Sequence, residues 1–72
     1  MKSIQTKEYA VFVRRLREAR LETGLTQVEV AKKLRRPQSH VSNVESGQQR
    51  VDVVELKTFA RLYNKSVDYF IK

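Results

Sequence analysis

Cysteine is absent from this chain of 72 residues, and histidine occurs once. The first absence removes disulfide staples and cysteine-based zinc sites, the devices that often supplement the thin core of a small fold. A lone His40 builds neither a metal site nor a histidine-centred acid/base constellation. With two glycines in the whole chain, there is no phosphate-cradling glycine loop, and no nucleophile constellation supports a catalytic reading. Long apolar runs are also missing. Nothing approaches the roughly 20 residues needed to cross a bilayer, and the opening "MKSIQTKEY" lacks the apolar stretch of a secretory signal. The expectation is a protein without cofactor or metal that stays in the cytoplasm, off the membrane.

Acidic residues are scarce relative to basic ones, eight Asp and Glu against fifteen Lys and Arg, for a net charge of +7. Such an excess points to an anionic partner, for which nucleic acid is the leading class and an anionic membrane surface the alternative. A chain this short buries only about 60% of its unfolded surface. One domain over residues 1–72 is therefore expected, with residues 1–6 flexible.

Strand signals are poor, whereas apolar residues recur at spacings of three and four. Tyr9, Phe12, Val13, Leu16 and Ala19 share one helical face, and Gly24 suits a left-handed stop for this first helix. Thr26 with Glu29 spells a capping box, followed by the buried stripe Val30, Ala31 and Leu34. Proline is tolerated in a first turn but not inside a helix, so Pro37 opens a third helix, which runs to Glu45 with only Val41 and Val44 to bury. Asp52 caps a fourth helix carrying Leu56, Phe59, Ala60 and Tyr63, which Asn64 closes. Ser66 begins a last short turn with Val67, Phe70 and Ile71. The fold class expected is all-α, a compact bundle of five helices.

The second and third helices, over residues 26–34 and 37–45, are separated by a turn of helix-turn-helix length. In that motif the first helix crosses the DNA backbone and the second enters the major groove. Ala31 is small enough to let two steeply crossing helices approach, with Val41 and Val44 as the facing pair. The segments "LREARLETGLTQVEVAKKL" and "QSHVSNVESG" resemble the XRE or lambda-repressor-like helix-turn-helix family. They carry its LRxxR, GLTQ and S-x-x-E-x-G elements and the small residue in the second helix, over a stretch from about Leu16 to Ile71. The resemblance implies five α-helices and operator binding, usually as dimers. The family commonly has Gly in the turn and Ser or Thr before the recognition helix, whereas this chain has Arg35 and Pro37. A non-glycine residue in a left-handed turn costs about 1 kcal/mol or more.

The stretch from Pro37 to Val44 carries no formal charge although 32% of the chain is charged, and arginines flank it. By resemblance, Gln38 and Ser39 occupy positions that touch base edges, where a glutamine can bond adenine in two places. Asn43, one turn further on, faces the same groove, with Ser42 beside it. Gln27 is by resemblance a phosphate contact at the start of the second helix, where the helix dipole favours an anion. Arg36, His40 and Arg50 are further candidates for the DNA backbone. Lys32, Lys33 and Arg35 add general electrostatic attraction. An exposed carboxylate at Glu45 would repel phosphate; in the family the matching glutamate pairs with an arginine of the first helix, here Arg20. Tyr63, Tyr69, Phe70 and Ile71 either close the core or form a two-fold dimer surface.

These residues describe a sequence-specific regulator of double-stranded DNA in the nucleoid, most simply a homodimeric repressor on a palindromic operator. The main rival is an antitoxin-like interaction module that retains DNA binding.

Overall fold

The computed structural model describes residues 6–72, and its first helix begins at a capping hydroxyl. Thr6 adopts an extended conformation, and its side chain accepts from the Tyr9 N–H at 3.1 Å. Helix α1 (Lys7–Thr23) follows, then α2 (Gln27–Leu34), α3 (Gln38–Glu45), α4 (Val53–Leu62) and α5 (Val67–Ile71). The described residues are all-helical, as expected. Of the segment expected to be flexible, residues 1–5 lie outside the described residues, and Thr6 is the N-cap of α1.

Side-chain caps start four of the five helices. Thr26 and Glu29 close their capping box reciprocally: the Thr26 N–H donates to Glu29 Oε1 at 2.8 Å, and the Glu29 N–H to Thr26 Oγ1 at 3.1 Å. Asp52 and Ser66 accept from the backbone N–H groups of Glu55 and Tyr69. Helix α3 differs, because Pro37 contributes no side-chain cap. Pro37 itself lies outside the helix: at φ −64° and ψ 154° it is extended and serves as N-cap. The helix expected to include it starts one residue later.

Three helices end alike. After α2, α3 and α4 the chain bends back through paired 6→1 and 5→2 backbone hydrogen bonds, with Arg35, Gly47 and Asn64 at the left-handed position. Gly and Asn take that position readily, and arginine does so only against its side-chain sterics. Arg35 sits at φ 59° and ψ 43°, with the Arg36 N–H closing onto Ala31 O at 3.0 Å. The turn of the helix-turn-helix thus keeps the geometry that a glycine would adopt and places an arginine in it.

The core gathers one stripe from each helix. Phe12, Val13, Leu16 and Ala19 of α1 meet Val30 and Ala31 of α2, Val41 and Val44 of α3, and Leu56, Phe59 and Ala60 of α4. Ala31 is 3% exposed and Val41 and Val44 fully buried, consistent with a small residue where α2 and α3 approach. Phe70 of α5 and Tyr63 beyond α4 complete the cluster at 1% and 2% exposure. Of the four residues expected to choose between core and dimer surface, these two belong to the core. Tyr69 is half-buried, its ring edge-on to Phe70 at 5.0 Å, and Ile71 is 60% exposed.

Candidate nucleic-acid interface

Two buried valines fix how α3 lies on the protein. With Val41 and Val44 turned inward, helical periodicity leaves Gln38, Ser39, Ser42 and Asn43 on the outer face, and all four are exposed. This face bears hydrogen-bonding groups and no formal charge. Cations stand around it: Lys32, Lys33, Arg35 and Arg36 on α2 and the turn, and Arg50 on the loop beyond α3, all exposed.

Behind the face lies a buried ion pair. Arg20 Nε donates to Glu45 Oε2 at 2.6 Å and Nη2 to Oε1 at 3.0 Å, with the side chains 10% and 6% exposed. A third Arg20 nitrogen, Nη1, donates to Leu25 O at 3.0 Å, which anchors the segment between α1 and α2. The hydrogen bond to Glu45 raises the proton affinity of Arg20 against the opposing effect of burial. Two-point contact in a sheltered site is the strong form of an arginine–carboxylate bond.

The pair reaches the surface through two glutamines. Gln27 Nε2 donates to Glu45 Oε1 at 3.0 Å, and Gln38 Nε2 lies 3.5 Å from Gln27 Oε1. Gln27 is half-buried. Its amide group therefore stands between the ion pair and the first residue of α3 rather than projecting straight into solvent.

His40 occupies the flank of α3. Its Nε2 lies 2.8 Å from Glu55 Oε1 on α4, and both side chains are 13% exposed. The other Glu55 oxygen lies 3.6 Å from Arg36 Nε. His40 thus faces α4, whereas Gln38, Ser39, Ser42 and Asn43 are exposed on the outer face. Sequence reasoning did not identify Glu55, whose local pattern, Asp52-x-x-Glu55, reads as a cap and gives no sign of a partner on α3.

Arg50 is placed by α1. Its guanidinium lies over the Tyr9 ring, 4.2 Å from the centroid. The Tyr9 hydroxyl accepts from the Val51 N–H at 3.2 Å and donates to Gln49 O at 3.4 Å, pinning the loop on both sides of Arg50. Tyr9 was expected only as an apolar member of the α1 stripe; its separation from Val51 in the chain hides this role.

Among the described residues, no helix is long and apolar enough to cross a membrane. Comparison with known proteins gives two results. A family model described as a helix-turn-helix domain matches residues 9–68. The chain is also 40% identical over 58 residues to the HTH-type transcriptional regulator ImmR of Bacillus subtilis (strain 168), a match that covers 81% of this chain and 46% of that protein. The chain thus spans about half the length of this curated relative.

Proposed function

Because the chain belongs to the XRE-like helix-turn-helix family, we propose that it is a transcriptional regulator whose α3 enters the major groove of double-stranded DNA. The observation that carries this reading is the exposed, uncharged polar face of α3 inside a rim of arginines and lysines. Neutral donors and acceptors discriminate base edges, and cations around them meet phosphates. Gln38, Ser39, Ser42 and Asn43 are the base-reading residues, and Gln27, Arg36, His40 and Arg50 lie along the DNA backbone. Arg20 and Glu45 hold the reading unit in shape.

The mechanism is occupancy: bound to an operator that overlaps a promoter, the domain represses by exclusion. It acts on the nucleoid in the cytoplasm, with residues 1–72 as one DNA-binding domain. A homodimer would set two recognition helices about 34 Å apart on successive major grooves, which requires a palindromic site. Ile71 and the exposed Val53 and Val54 supply apolar surface for such an assembly.

Selection of duplex sites from a random pool tests the reading. An enriched motif with two-fold symmetry is expected, together with relaxed preference at one base pair for Gln38→Ala. A pool that shows no enrichment, or a Gln38→Ala protein with undiminished discrimination, overturns it.

A further inference from the structure

Two helices of this chain begin with the same local pattern, a capping side chain followed three positions later by glutamate. At α2 the glutamate turns back, and Glu29 accepts from the Thr26 N–H at 2.8 Å. At α4 Asp52 accepts from the Glu55 N–H at 2.8 Å, but the Glu55 carboxylate leaves its own helix. One oxygen lies 2.8 Å from His40 Nε2 on α3, the other 3.6 Å from Arg36 Nε in the turn. An ionised carboxylate only accepts, so this contact places a proton on His40 Nε2. A residue outside the helix-turn-helix therefore contacts two side chains at its rim.

We propose that Glu55 is a positioning residue of the DNA face, an inference that rests on the reading of α3 as the DNA-reading helix. Glu55 fixes the His40 ring and holds the Arg36 guanidinium, and a backbone phosphate takes Arg36 from it when duplex DNA docks. The two contacts differ in the sense that this exchange requires. The His40 contact is short and sheltered, with both side chains 13% exposed. The Arg36 contact is long, and the Arg36 side chain is 52% exposed. An ion pair of that kind contributes little stability, so its exchange for a phosphate gives up little. The arrangement restrains the attraction of a +7 chain for any duplex while leaving the reading face untouched.

The test measures duplex binding against salt for the full chain, using a site selected from a random pool and an unrelated duplex. The proteins are wild type, Glu55→Gln, Arg36→Gln and the double variant. Glu55→Gln is expected to bind both duplexes severalfold tighter with an unchanged ratio between them, because the amide oxygen still accepts from His40. That gain should vanish in the double variant, and Arg36→Gln should flatten the salt slope by about one. A gain that persists in full without Arg36, or a salt slope indifferent to Arg36, overturns the proposal. A measurement on the wild type needs no variant to fold: the Arg36 Nε–H resonance should shift on addition of either duplex, and a signal that stays in place overturns the proposal as well. A wild-type chain that binds neither duplex overturns the DNA reading itself, an outcome separate from failure at Glu55.

Discussion

Arg20 on α1 and Glu45 at the end of α3 are joined at two points, 2.6 Å and 3.0 Å, although 25 positions separate them in the chain. This bond ties the last turn of α3 to α1, the longest helix among the described residues, and Gln27 of α2 joins it at 3.0 Å. Breaking one member strands a buried charge, which typically costs about 3–5 kcal/mol. Glu45→Ala and Arg20→Ala should each lose stability of that order in denaturant titration, and Arg20→Met with Glu45→Leu should lose less than either. An exposed-pair loss, under about 1 kcal/mol, would contradict the burial of these side chains.

The left-handed arginine of the turn leads to a second prediction. Arg35 adopts φ 59°, the conformation that Gly47 and Asn64 adopt at the ends of α3 and α4. Relief of side-chain sterics should make Arg35→Gly more stable by up to about 1 kcal/mol, less the entropy that glycine adds to the unfolded chain. Arg35→Val, which is β-branched, should lose stability. The two denaturation midpoints must move in opposite directions; a shared direction would mean that Arg35 is held by side-chain contacts rather than tolerated by the backbone.

A third prediction concerns a buried hydroxyl. Tyr63 is 2% exposed, and among the described residues its Oη has no hydrogen-bond partner. Burial is the main cause that pushes its ionisation far above the ordinary tyrosine range, and the Glu45 charge adds to it. An unsatisfied buried polar group costs about 1–3 kcal/mol. Tyr63→Phe keeps the ring in the core cluster and removes that cost, so it should raise the unfolding free energy, measured in urea. A substantial loss of stability would show that the hydroxyl is satisfied in solution.

Which of these features the sequence discloses depends on how far their causes reach along the chain. The Thr26–Glu29 box, the Gly24 stop and the caps at Asp52 and Ser66 arise from neighbours within a turn, so residue order alone reveals them. Helical periodicity likewise exposes Gln38, Ser39, Ser42 and Asn43 once Val41 and Val44 are buried. Glu55 and Tyr9 escape because their partners are set by packing: Glu55 crosses from α4 to α3, and Tyr9 reaches Val51, 42 positions away. Periodicity equally fails to tell a core tyrosine from an interface one, since both lie on the apolar stripe. Only the burial of Tyr63, with its ring against Phe59 in the core cluster, assigns it to the interior.

The last prediction concerns Glu29, which turns back onto its own cap where Glu55 crosses to α3. Glu29 is held below the ordinary carboxylate range, first by the hydrogen bond from the Thr26 backbone and then by that from its side chain, with Lys33 and Lys32 adding charge. A carboxylate whose proton affinity is lower in the folded than in the unfolded chain stabilises the fold at pH above its unfolded value. That contribution disappears as the pH falls through the lowered folded value, because the folded and unfolded chains then carry the same proton. Glu29→Gln keeps a neutral acceptor for the Thr26 N–H and does not titrate, so the other carboxylates cancel in the comparison. Wild type should therefore be the more stable protein near neutrality, with a difference that shrinks on acidification through the carboxylate range and levels off below it. Urea unfolding of the two proteins across that range reads the difference directly. A gap independent of pH would place the role of Glu29 in its shape rather than its charge.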